Sequence, residues 1–155
     1  MKHINSLKKF ILILIFPFIS ISCGDDGNGS GGGPGPTPTD PLDAQAALLN
    51  GSWKVKDANS VTKDGSIVDV FTTMTLNISG GTKDGGNYST GHSEQNGTEV
   101  WPNSGSWTFQ GGDKNKLQRS DGVVMSISVT ESTLTTSFTV SGGIKDGNWV
   151  FNFIK

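Results

Sequence analysis

The chain is poor in the residues from which enzymes and metalloproteins build their sites. It has one cysteine, two histidines, one tyrosine and 17% charged residues in 155. Cys23 has no intramolecular disulfide partner. Beyond residue 22 the only histidine is His92, which shares the polar segment 91–99 with Glu94 and Glu99. His92 and Glu94 are two apart and would share a face of a strand. Zinc sites ordinarily draw three or four protein ligands, so this group reads as a solvated loop and no metal is expected. A Ser-His-Asp triad would have to use His92 as well, and no Gly-x-Ser-x-Gly elbow is present. A carboxylate pair would have to come from three glutamates and scattered aspartates. Several of those aspartates precede glycine, where turn geometry accounts for them, and the calcium-loop spacing is missing. The expectation is a protein that is not an enzyme and has no cofactor.

No apolar run is long enough to cross a bilayer as a helix, which takes roughly 20 residues. The longest, Phe10 to Ile21, contains Pro17 and follows Lys2, Lys8 and Lys9. A basic start and a short apolar core make a secretory signal peptide. Its end, Ser20-Ile21-Ser22-Cys23, resembles the bacterial lipobox, with Ser22 at the small position and Ser20 where most lipoboxes carry an aliphatic residue. The resemblance implies that Cys23 is acylated, with palmitate or a similar chain, and becomes the new N-terminus. The alternative is a free thiol in a flexible segment, a liability outside the reducing cytosol. Gly24-Asp25-Asp26 resembles the acidic export tag of Bacteroidota lipoproteins and implies the outer membrane, at the cell surface.

Residues 23–41 read as the lipidated cysteine and a linker. Gly24 to Pro41 has no large apolar side chain, so it cannot bury a core. About 18 residues at up to ~3.3 Å each reach a few nanometres. Without residues 1–22, 9 basic and 14 acidic side chains leave a net charge of −5. That disfavours nucleic acid and docking on anionic lipid by charge. The lipid would make the membrane contact.

Residues 42–155 suit one domain, expected to be a monomer. Asp43 to Asn50 is a short helix candidate, capped by Asp40 or Asp43 and ended by Gly51. From Gly51 onward the pattern is antiparallel β. Val68, Val70, Thr72, Met74, Leu76 and Ile78 alternate with Asp69, Phe71, Thr73, Thr75, Asn77 and Ser79, which predicts one long half-buried strand. Met125–Val129, Leu134–Val140 and Trp149–Phe153 alternate likewise, as do Trp53 with Val55 and Trp107 with Phe109. Asp-Gly pairs at 64–65, 84–85, 121–122 and 146–147 mark tight turns. The fold class is all-β: an antiparallel meander of eight or nine strands closing into a barrel, with a short N-terminal helix. Segments 79–88 and 141–149 are similar, through a duplicated half-barrel or two independent loops.

At Gly51-Ser52-Trp53 the order of helix, Gly-x-Trp, then meander resembles the lipocalin-like domains of Bacteroidota lipoproteins. There the glycine allows a tight entry and the tryptophan plugs one end of the barrel. The same tripeptide recurs at Gly105-Ser106-Trp107, where that pattern does not require it. A basic residue commonly packs over the plug, and Arg119 is the only arginine available for it. The resemblance implies a binding protein for a small apolar ligand. Candidate cavity-lining residues are Met74, Leu76, Trp107, Phe138 and Trp149, and Thr72 and Thr136 on inward faces favour a partly wet interior. The alternative is a surface module binding glycan or protein through its loops. Trp101, beside Pro102 and out of phase with a strand, is the candidate surface contact, or else a cover for the barrel mouth.

Overall fold

Asp40 starts the described structure by capping a helix: its Oδ1 accepts from the Leu42 N–H at 2.9 Å, and Pro41 sits in the first turn, where its missing donor costs nothing. The computed structural model describes residues 39–155; Cys23, the expected signal peptide and the expected linker up to residue 38 lie outside them. Helix α1 spans Pro41–Leu49 and buries Ala46 and Leu49. Among the described residues no helix is long and apolar enough to cross a membrane.

Ten strands follow in one antiparallel sheet. They are β1 (Gly51–Val55), β2 (Val61–Lys63), β3 (Ser66–Ile67), β4 (Thr75–Thr82) and β5 (Gly85–Gly91). Then come β6 (Ser104–Phe109), β7 (Lys116–Arg119), β8 (Val124–Val129), β9 (Thr133–Val140) and β10 (Gly147–Ile154). Strands β4 to β10 run as a meander, and β1 pairs with both β4 and β10, closing an eight-stranded barrel. β2 continues β1 along β10 after an excursion at residues 56–60, and β3 folds back on β2 as the sheet's free edge. The expected barrel is therefore present, with two added strands.

Alternation places the core. Leu76, Ile78, Trp107, Phe109, Met125, Ile127, Leu134, Thr136, Phe138, Trp149, Phe151 and Phe153 point inward, and their partners in alternation are largely exposed or half-buried. Gly85 must be glycine: its φ is +118°, and a Cβ there would lie 2.1 Å from the Trp107 carbonyl oxygen.

The strand expected over residues 68–79 begins only at Thr75. Phe71 adopts φ +62°, a rare conformation for a bulky residue. Its ring turns inward to meet His92, Trp149 and Phe151 edge-on. Thr72 is consequently exposed, not inward-facing, while Thr136 is buried. The two similar glycine-rich segments lie at opposite ends of the barrel. A duplicated half-barrel would shift by four strands and keep them at one end, so they are independent turns.

Candidate functional site

The barrel has two ends of different construction. At one, termed the base, lie α1, the β4–β5, β6–β7 and β8–β9 connections, and Lys155. Trp53 is 1% exposed there and donates from Nε1 to the Leu49 carbonyl at 2.8 Å. The Lys155 ammonium stands 4.5 Å from the Trp53 ring centroid and donates to the Leu48 carbonyl at 3.0 Å. Gly51, with φ +130°, lets the chain turn directly from helix to strand under the Lys155 side chain. The cation over the plug is thus Lys155 and not Arg119.

At the other end, the rim, residues 92–103 cross the barrel mouth as a strap with one 3-10 turn at Gly97–Glu99. Trp101 is 2% exposed. It is a plug, which corrects the expectation of a surface contact. Tyr88, Phe138, Phe151 and Phe153 meet its ring edge-on. The Arg119 guanidinium lies 4.9 Å from the Trp101 ring and 5.2 Å from Phe138. Arg119 also donates to the Val100 carbonyl at 2.9 Å and grips Asp121 with two nitrogens. Burial pushes the Asp121 carboxyl up, but hydrogen bonds and charge from Arg119 prevail and hold it below the usual carboxylate value. Burial raises the Tyr88 phenol.

The polar trio of the strap works as clasps. Glu99 Oε2 accepts from the backbone N–H of Ile144 at 2.9 Å and of Lys145 at 3.1 Å. Glu94 pairs with the Lys145 ammonium, and His92 Nε2 bonds the Trp101 carbonyl oxygen at 3.0 Å. Gly97 packs so tightly that a Cβ there would lie 2.5 Å from the His92 ring. The trio is half-buried, not a freely solvated loop. No cluster of three metal-ligating side chains occurs among the described residues.

Between the two plugs the interior is nearly full. Its cavity measures about 20 Å³ and is lined by Leu49, Leu76, Trp101, Trp107, Leu117 and Thr136 among others. That is room for about one water, whereas small-molecule sites enclose about 300–1,000 Å³. Of the predicted lining residues, Leu76 and Trp107 border this cavity, while Met74, Phe138 and Trp149 are packed core. Tyr88 Oη, Trp101 Nε1, Trp107 Nε1 and Thr136 Oγ1 are buried there without a hydrogen-bond partner, at about 1–3 kcal/mol each. A second concavity of about 480 Å³ is a shallow outer groove beside β1 and β4, and its Ser52, Lys54, Thr75 and Asn77 are exposed.

Every described aromatic side chain is buried. Charge is divided unevenly. Rim-half segments carry Asp64, Asp69, Glu94, Glu99, Asp121 and Asp146 against Lys63, Arg119 and Lys145, six acidic to three basic, a net charge of −3. In the base half six acidic residues meet six basic ones, a net charge of 0. Two signals for this arrangement were present in the sequence. Arg119 is in phase with buried Leu117, so alternation turns it inward. Val100-Trp101 is an apolar pair inside a polar stretch, the mark of a segment that dips into a core. No family model, curated protein or solved structure matches this chain.

Proposed function

We propose that this protein is an outer-membrane lipoprotein, anchored through Cys23, whose lipocalin-like barrel is a scaffold that presents its rim to a protein partner. The observation that carries this reading is the filled interior. A space of about 20 Å³ accepts no lipid-sized guest, so a preformed carrier site is not what the barrel offers. The glycan alternative loses its main support as well, because sugars are gripped by exposed aromatic rings and every described aromatic here is buried. Lysine and aspartate loops on a rigid barrel, held clear of a membrane by a tether, suit contact between proteins.

A carrier of a small apolar ligand is the second reading. The barrel fold itself favours it, and it requires Trp101 to leave the interior. Mass spectrometry of compounds extracted from natively purified protein separates the two. The scaffold reading expects no apolar compound in stoichiometric amount, and one molecule per chain would overturn it. Anchoring is tested by Cys23→Ser, which should abolish acylation and release the protein from the membrane fraction. Unchanged attachment would end the lipoprotein reading.

A further inference from the structure

Residues 68–74 carry the alternation of a strand but not its backbone. Val68, Val70, Thr72 and Met74 are in phase with the buried Leu76 and Ile78 of β4, yet the strand starts only at Thr75. Two features interrupt it. Phe71 holds its φ at +62°, a genuine outlier for a bulky residue. The chain then turns, and the Met74 N–H donates to the Phe71 carbonyl at 2.9 Å. The ladder beyond Thr75 is therefore half made. Trp53 pairs with Leu76 and Lys54 with Thr75, so Val55 comes next opposite Met74. The Val55 N–H donates to the Met74 carbonyl at 3.1 Å, as that register requires. The reciprocal donor, the Met74 N–H, is taken by the turn.

The other edge of β4 is arranged to match. Thr75 pairs with Gly91, so the same register continued sets Met74 opposite His92, Thr72 opposite Glu94 and Val70 opposite Asn96. Those residues begin the strap, which bends away instead. The two bends lock each other. The Phe71 ring meets His92 edge-on, with 5.3 Å between centroids. Gly97 presses on both, so that a Cβ there would lie 2.5 Å from His92 Cε1 and 3.0 Å from Phe71 Cε1. Trp101 is tied to this junction twice. Its N–H donates to the Gly97 carbonyl at 2.9 Å, and its carbonyl oxygen bonds His92 Nε2 at 3.0 Å. The junction leaves His92 Nδ1 and Trp101 Nε1 buried without partners. Strained backbone persists only where its surroundings over-determine it, and it clusters at switch regions.

We propose that this junction is a two-state latch on the barrel mouth. In the kinked form Phe71 and Trp101 close the mouth. In an extended form residues 70–74 and 92–96 continue the β4–β5 hairpin. Phe71 then relaxes to an ordinary strand φ and points outward, Val70 and Thr72 turn inward, and the Met74 N–H returns to Val55. Pairing His92 with Met74 breaks both ties of Trp101, so the plug leaves with the strap. The kinked form is the major one, because the extended form exposes two aromatic rings and frees the Val100 carbonyl from Arg119. Opening is a shift between two packings of one segment, not a loosening. The latch goes beyond the partner-contact reading and does not depend on it.

Hydrogen exchange on the full processed chain in zwitterionic nanodiscs tests it, because the two segments should move in opposite directions. Phe71→Val removes the ring and disfavours positive φ, whereas Phe71→Gly removes the same ring and permits it. In Phe71→Val the amides of residues 70–74 should exchange about threefold or more slowly than in wild type, as they gain ladder bonds. The amides of Val100 and Trp101, which donate to the Gly97 carbonyl, should exchange about tenfold or more faster. In Phe71→Gly residues 70–74 should be no slower than in wild type. Gly97→Ala keeps Phe71 and drives a Cβ against both rings, so it should repeat the opposed pattern. Faster exchange in both segments of Phe71→Val or of Gly97→Ala overturns the latch, and so does identical behaviour of Phe71→Val and Phe71→Gly.

Discussion

The base and the rim close the same barrel with opposite chemistries. At the base a helix lays Ala46 and Leu49 over the opening, and the indole N–H of Trp53 is satisfied by the Leu49 carbonyl. Charge there balances. At the rim an irregular strap does the closing: it also buries an apolar plug, Val100 and Trp101, but the tryptophan N–H has no partner, and ion pairs and carboxylate-to-backbone bonds hold the strap down. Apolar burial is insensitive to pH and tolerant of small shifts. Polar clasps depend on each member being present, because a buried charge or donor left alone costs more than the pair contributed. The base reads as the permanent end of the fold and the rim as the end whose surface can be read by something else.

The largest expected effect tests that dependence. Arg119→Met keeps most of the side-chain volume but strands the Asp121 carboxylate and the Val100 carbonyl. It should destabilise the domain by about 3–5 kcal/mol in chemical denaturation. Trp53→Phe and Trp101→Phe then set the two plugs side by side. The first removes the donor that satisfies Leu49 and should cost about 1–2 kcal/mol. The second takes the same ring volume from the core but deletes an N–H that has no partner, so it should cost about 1 kcal/mol less than the first. Equal costs would mean that the plugs are equivalent after all.

How much of this contrast could be read from the sequence follows from how local each cause is. The strands from Met125 onward were legible because alternation is a short-range pattern and each sits wholly within one half-buried face. The same short range fails at residues 68–74: the alternation of Val68 and Val70 with polar neighbours predicts a strand, but Phe71 takes a positive φ and its ring packs on His92, Trp149 and Phe151, all distant in sequence. The burial of Trp101 depends on Arg119 and Phe138, far along the chain, and a polar, proline-flanked context hid it. Lys155 as the cation over Trp53 was equally invisible, since only barrel closure brings residue 155 to residue 53. Cys23 is the reverse case: its proposed anchoring role is read from a few local residues, and the residue lies outside the described structure.

A smaller effect probes the clasp itself. Glu99→Ala removes the acceptor of two backbone N–H groups and should cost about 1–2 kcal/mol. Its clearer signature is faster hydrogen exchange at Ile144 and Lys145 with the Trp53 region unchanged. Exchange that rises equally at both ends would show that the clasp supports the whole barrel and not the rim alone.

The smallest effect is a slope with pH. The Asp121 carboxyl is held below its ordinary value in the folded state, so below about pH 4 the unfolded chain binds the proton first. Its contribution to stability is therefore full above the unfolded value of about 3.9 and disappears as pH falls through the lower folded value. Asp121→Asn should flatten that part of the stability curve while leaving the slope near neutrality unchanged. The exposed Asp57, lowered first by the Ser60 hydroxyl and then by the Asn59 N–H, titrates in the same window but lies in the base half, where the closure is apolar. If acid first frees the strap, measured as exchange at residues 144 and 145, while the indole of Trp53 stays buried, the rim opens before the base. If both ends melt together at every pH, the two closures form one cooperative unit, and the contrast between them is one of composition and not of stability.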